Sequence, residues 1–380
     1  MRKKQVTVII TSLSLTVLLL ILLLYHNNWL VGAVKRQAED VLASVITTVL
    51  VSAGSGAVIW LRRYYKQRRQ LRLPYHLEFR IGRWTPSVPF ILADGVDLDK
   101  PRRLSPAEIH CKEVESRFKF PSDLLPYREK IVEAYSREGF LRLTDGQIVR
   151  LESFTLVFPR NDEPPEWILS FSPLSYFDFI CTNLALTPTF KPVVLPAPVL
   201  DVLNKHRADV GQKMTFKEVL DCSHLGNGLT LHLNVVDADN KLLVGRRPKD
   251  LPIYGGKLVT SVTGAVSWND RRCEGVPPDP FLAAVREARE ETGIVLNRRH
   301  VFFYALGMQA DQRHPLLLGA ARLEDKLENV LITCRDAWEN EVFYYLDLDD
   351  LDTCAAVLVY GDWIPASAVA VALSLLDRHG

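Results

Sequence analysis

Glu287, Glu290 and Glu291 stand at i, i+3 and i+4 within one stretch, Arg286-Glu-Ala-Arg-Glu-Glu-Thr-Gly-Ile294. On a helix this spacing gathers three carboxylates within an arc of about 100°. Phe281, Val285, Ala288 and Thr292 fall on roughly the opposite side, as a stripe suited to a core. Like charges so placed cost a helix about 0.2–0.5 kcal/mol per pair. A hard divalent cation reverses that sign, because Mg2+ and Mn2+ take oxygen ligands and bridge carboxylates to a substrate's phosphates. The alternative is a charged, solvated helix face.

The helix that must carry these residues has both ends written into the chain. Asp279 suits the N-cap, Pro280 the first helical position, and Gly293 the left-handed residue after the last turn. The expected helix therefore runs from about Pro280 to Thr292, with apolar Ile294, Val295 and Leu296 beyond it.

This stretch resembles the second half of the Nudix box, G-x5-E-x7-R-E-U-x-E-E-x-G-U, where U is apolar. Arg286, Glu287, Ala288, Glu290, Glu291, Gly293 and Ile294 fill all seven specified positions of that half. The first half departs from the pattern. Gly264 followed by Asp270 resembles G-x5-E with Asp in place of Glu, and the stretch from Arg271 to Val285 is then about eight residues too long. Its Cys-Glu-Gly-Val-Pro-Pro-Asp-Pro composition reads as an inserted loop.

The resemblance implies an α/β fold, an α/β/α sandwich with a mixed sheet, over residues 225–380. The flanks supply its elements. Strands are expected at Leu229–Val236, Lys241–Gly245, Lys257–Val266, Val301–Gly307, Leu316–Ala321 and Glu341–Leu346. Asp237–Asn240 reads as a turn, and Pro365–Leu376 as an apolar, Ala-rich C-terminal helix.

The function the resemblance implies is hydrolysis of a diphosphate linked to another group, by water attacking phosphorus with Mg2+ or Mn2+ as cofactor. Glu287, Glu290 and Glu291 become the metal ligands, and Arg286 pairs with the box carboxylates. The base that takes the water's proton is not identified. Glu341 lies where some relatives place one, but reads more readily as a solvent-exposed loop residue. Arg246 and Arg247, ending a strand, are candidates to meet substrate phosphates with Gly264, or form a solvated strand end. Tyr254 and Trp268 could stack on a base or ring, or pack on the sheet. A different class of function, a non-catalytic nucleotide sensor on the same fold, competes with the enzyme. A third possibility is hydrolysis of a membrane-borne diphosphate. No GxxxxGK[ST] loop, zinc-spaced Cys/His cluster or GxSxG elbow supports other chemistry.

Ahead of this region lie two uncharged, mostly apolar runs, Val6–Tyr25 and Val41–Leu61, each long enough to cross a bilayer. Arg2, Lys3 and Lys4 precede the first, and Arg62, Arg63, Lys66, Arg68, Arg69 and Arg72 follow the second. The positive-inside rule makes residues 1–72 a transmembrane hairpin in the cell membrane, with both termini and the soluble part cytoplasmic. The first run could instead be a cleaved signal peptide. Small residues Ser52, Ala53, Gly56 and Ala57 permit close helix pairing, within the hairpin or in a homodimer.

The 380 residues carry a net charge of +1, so no bulk attraction to nucleic acid is expected. Six scattered cysteines read as reduced, mostly buried thiols. Residues 73–224 read as a small α+β region of no recognised family. It has capping boxes at Ser105–Glu108 and Thr215–Glu218, a helix over Pro126–Glu138, and strands at Leu151–Pro159 and Trp167–Phe171. Pro159–Pro198 is proline-rich and loop-like.

Overall fold

The computed structural model describes residues 76–98, 100–137, 144–158, 165–186, 195–212, 215–249, 251, 254–329 and 340–379. The expected hairpin of residues 1–72 lies outside them. Among the described residues no helix is long and apolar enough to cross a membrane.

In chain order the strands and helices are β1 (Leu77–Glu78), β2 (Ser87–Val88), β3 (Phe90–Leu92), β4 (Ile109–Glu113), α1 (Arg128–Arg137), β5 (Gln147–Val157), β6 (Glu166–Ser175), α2 (Tyr176–Phe179), α3 (Ala197–Gly211) and α4 (Phe216–Leu220). There follow β7 (Thr230–Val236), β8 (Lys241–Arg246), β9 (Leu258–Thr260), β10 (Val262–Ala265), α5 (Pro280–Glu291), β11 (Val301–Gln309), β12 (Pro315–Arg322), β13 (Val342–Asp347), α6 (Leu351–Tyr360) and α7 (Pro365–His379).

The main sheet is mixed, in the order β13-β8-β7-β12-β11-β3, with β10 added on β7 and β9 on β8. Strand β12 runs parallel to β7, and the other pairs are antiparallel. Alternation along β7 explains why both faces are covered. Leu231, Leu233 and Val235 enter the core that includes Phe281 and Ala288 of α5. His232 and Asn234 point the other way and bond Ser367 (2.9 Å) and Ser374 (2.8 Å) of α7. A helix therefore lies on each face, in three layers.

The single strand expected over Lys257–Val266 is two strands. Ser261 interrupts it: its hydroxyl accepts from the Val235 N–H at 2.7 Å and donates to the Leu243 carbonyl. One side chain thus fills the gap where β7 and β8 diverge, and the chain passes from β8 to β7.

Leu73–Gly380 forms one compact unit. Strand β3 is the edge partner of β11. The start of β5 is woven into the main sheet. Val149 donates to the Val266 carbonyl and accepts from the Leu229 N–H, both at 2.8 Å, and Leu151 donates to Asn227 at 3.0 Å. Along its whole length β5 also pairs with β6, which in turn pairs with β4 in a three-stranded sheet.

Two local expectations are corrected here. At Ser105 only half of the box forms: the Ser105 N–H and hydroxyl both donate to Glu108 at 2.7 Å, while the Glu108 N–H bonds the Ser105 carbonyl at 3.0 Å, closing a turn that leads into β4 rather than a helix. The Thr215–Glu218 box does cap α4. Pro159–Pro198 is less loop-like than its prolines suggest. Strand β6 runs through Pro173, whose missing N–H is tolerated because its partner Val149 turns its own N–H and carbonyl to Val266 and Leu229, and α2 follows directly.

Candidate active site

Helix α5 begins and ends as its sequence dictates. Asp279 caps it by accepting from the Phe281 N–H at 2.9 Å, and Gly293 takes φ +76° just past the Thr292 cap. Phe281, Ala288 and Thr292 are buried as the apolar stripe requires, and Val285 is half-buried.

The three glutamates leave this helix into different surroundings. Glu291 is buried, only 4% exposed, and its carboxylate accepts from the Thr263 N–H at 2.9 Å and hydroxyl at 3.2 Å. It thereby ties the end of α5 to strand β10. Glu287 reaches an Arg286 guanidinium nitrogen at 2.9 Å. Glu290, more exposed, meets the same nitrogen at 2.9 Å.

Arg286 is the hub. It donates to both oxygens of Asp270, at 2.8 and 3.0 Å, and to the Ala265 carbonyl at 3.0 Å. Burial opposes its charge, but the Asp270 hydrogen bonds and the charges of Glu287 and Asp270 win, raising its pKa above that of ordinary arginine. Asp270 is itself buried and also accepts from the Ser267 N–H at 2.8 Å. The residue standing where the box pattern has Glu is thus the anchor of the box arginine.

The extra length of the loop is also explained. The Asp279 N–H donates to the Asp270 carbonyl at 2.6 Å, so residues 271–278 leave the site and return to its edge. Excising those eight residues leaves seven, 279–285, between Asp270 and Arg286, which is the spacing of the box. The insertion is pinched at its base and does not displace α5.

Gly264 closes the arrangement from the sheet. A Cβ at this position would lie 2.1 Å from Cδ of Glu287 and 2.2 Å from its Oε1. Only a residue without a side chain lets that carboxylate rest on β10.

Three carboxylates (Asp270, Glu287 and Glu290) therefore surround a single guanidinium, and Glu291 follows Glu290 on the same helix. An excess of oxygen donors of this kind, with a glycine cradle beneath one of them, suits a hard cation. Among the described residues no three His, Cys, Asp or Glu side chains stand close enough to hold one ion, because Glu287 and Glu290 turn to Arg286 and Glu291 turns to Thr263.

Arg246 ends β8 and Arg247 follows it. Arg246 lies over the Tyr344 ring, 5.8 Å from its centre. The charge of Arg247 is felt by buried His232. Both guanidinium Nε atoms are buried without a hydrogen-bond partner, and among the described residues no ion pair holds either arginine. Both stacking candidates are engaged. The Tyr254 hydroxyl donates to Asp311 at 2.6 Å, and the Arg271 guanidinium covers Trp268 at 4.3 Å. Glu341 is exposed at the start of β13, with its N–H on the Arg246 carbonyl.

Sequence reasoning missed Thr263 and Arg298 as supports. Arg298 grips the Asp279 cap at 2.8 Å. Neither spacing nor residue type singles them out, since both act through neighbours brought close only by the fold.

Neither a protein-family model nor a curated protein sequence matches this chain. Solved structures overlap with it in part. A Deinococcus radiodurans protein is 17% identical, with a TM-score of 0.29, over 38% of this chain and 80% of its own. A MutT protein from Methanosarcina mazei is 15% identical (TM-score 0.26), over 40% of this chain and 94% of its own. A C. elegans Ap4A hydrolase, solved as a binary complex, is 15% identical (TM-score 0.26), over 40% of this chain and 99% of its own.

Proposed function

We propose that this chain is a Nudix-type hydrolase that cleaves a diphosphate linked to another group, a nucleoside diphosphate derivative, with a divalent metal. The observation that carries this reading is the restored box: Asp270, Arg286 and the α5 glutamates in register around the Gly264 cradle, despite an eight-residue insertion. Glu287, Glu290 and Glu291 would hold Mg2+ or Mn2+. The chemistry such an ion supplies is charge offset on the phosphate oxygens and a more acidic water.

The residues of the chain divide the remaining work. Asp270 fixes Arg286 through two hydrogen bonds, and Arg286 in turn orients Glu287 and Glu290. Arg246 and Arg247, carrying unpartnered buried nitrogens, would bind phosphate oxygens at the other end of the substrate. Residues 1–72 would anchor the enzyme in the cell membrane, with the soluble part cytoplasmic.

A second reading is a nucleotide sensor on the same fold. It draws support from the engagement of all three glutamates with protein partners. The full chain purified in detergent, offered nucleotide sugars, ADP-ribose and dinucleoside polyphosphates with Mg2+, separates the two. Metal-dependent release of phosphate products, lost in Glu290→Gln and Glu291→Gln, is the expected result. Tight binding without turnover would replace the enzyme by the sensor.

A further inference from the structure

The insertion base is fastened to the region that precedes the box domain, and one residue makes most of the connection. Arg271 donates through Nε to the Trp268 carbonyl at 2.7 Å and through a terminal nitrogen to the Val276 carbonyl at 3.2 Å. Its guanidinium plane covers the Trp268 ring at 4.3 Å and reaches Glu113 of β4 at 3.3 Å. Trp268 is partly buried on the main core, and its N–H is bound to Gln147 of β5 at 2.9 Å. Asp270 sits between these two residues in the chain. Its backbone position is therefore set by a clasp whose other half belongs to residues 113 and 147.

We infer that Arg271 is a positioning residue. Stacked on Trp268, it holds Asp270, through Asp270 the guanidinium of Arg286, and through that the α5 carboxylates in the arrangement a divalent cation needs. This rests on the proposed metal-dependent reading of the site. The ion pair with Glu113 contributes little, because the Glu113 side chain is 47% exposed and such pairs are screened. The stacking and the two carbonyl contacts carry the effect, and these need a planar fork that lysine lacks.

Simple electrostatics and positioning predict opposite signs, which makes the inference testable. Removing a positive charge beside an acidic site should tighten cation binding. Loosening the clasp should weaken it. Mn2+ binding to the full chain in detergent, followed by electron paramagnetic resonance, is the direct readout. Arg271→Gln and Arg271→Lys are both expected to weaken Mn2+ affinity about tenfold, the lower end of the range for residues that orient metal ligands. The melting temperature should stay near that of the parent, and hydrogen exchange in peptides spanning Ser267–Asp279 should quicken. Glu113→Gln should change affinity less than about twofold. Trp268→Leu should match Arg271→Gln, and the double variant should be no worse than either, because the two residues form one unit. Tighter binding in Arg271→Gln with parental binding in Arg271→Lys would overturn the inference. So would parental affinity in both, or in Trp268→Leu. If the parent chain binds no Mn2+, the hydrolase reading falls, and exchange alone decides the clasp: unchanged rates over Ser267–Asp279 in Arg271→Gln refute it.

Discussion

Replacing Gly264 by alanine should disable the site while sparing the fold. The added Cβ would stand 2.1 Å from Cδ, 2.2 Å from Oε1 and 2.6 Å from Cγ of Glu287. Carbon atoms rest at about 3.5–4.0 Å, so the carboxylate must retreat by roughly 1.4 Å or more. Its 2.9 Å contact with Arg286 cannot survive that movement. The displaced atoms are the far end of a flexible side chain, not backbone. The stability cost should accordingly be about 1–2 kcal/mol, the lower part of the range for overpacking. Misplacing a reacting group by about 1 Å costs on the order of 100-fold in rate. The assay is Mg2+-dependent hydrolysis alongside thermal unfolding, with Gly211→Ala as control, since a Cβ there meets nothing within 4 Å. A Gly264→Ala protein that binds Mn2+ and turns over like the parent would refute the placement of Glu287 at the metal.

Three other outcomes follow from the same geometry. Arg286→Met would leave the carboxylate of Asp270, whose side chain is 6% exposed, buried without its cation, and should destabilise by about 3–5 kcal/mol in urea unfolding; a loss below about 1 kcal/mol would contradict the hub role. Burial holds His232 near a pKa of about 3, aided by the charges of His314 and Arg247, and burial alone holds His314 near about 4. The unfolded chain therefore takes up protons first as the pH falls below about 6.5. Stability should drop toward pH 5 at up to about 1.4 kcal/mol per pH unit for each histidine, and a flat urea midpoint over that window would count against it. Cys222 and Cys354 are buried, whereas Cys273 is exposed on the insertion. With the proposed topology an impermeant maleimide should reach Cys273 only after cells are permeabilised, and labelling in intact cells would reverse the orientation.

The box helix was the most legible part of the chain, because its signals are local. A capping aspartate, a proline, a glycine and a 3.6-residue apolar period all agree on one segment. The strands of β7, β8, β11 and β12 were legible for the same reason, as runs of apolar and β-branched residues. What remained hidden depends on distant partners. Nothing in Lys257–Val266 announces that Ser261 will bridge Val235 and Leu243. The spacing from Gly264 marked Asp270 as the box acid and gave the eight-residue excess, but not its bond to Arg286, which forms only once the inserted residues are pinched off. That Glu291 is buried on Thr263, while Glu290 faces outward, follows from the edge of β10 and not from helical periodicity. Arg271 read as part of a loop, because its partners at 113 and 147 lie far away in sequence.

The interlacing of Val149 between Leu229 and Val266 constrains how this protein can be made. As the chain leaves the ribosome, the first half of β5 emerges early, with Val149 coming 80 residues ahead of Leu229 and 117 ahead of Val266. During that wait it presents Ile148, Val149 and Leu151, all buried in the finished protein, as an unsatisfied sticky edge. Nascent chains arrested before Val266 should aggregate or recruit chaperones, and fragments beginning near residue 225 should be insoluble. Expression trials of such truncations would measure how long this vulnerability lasts.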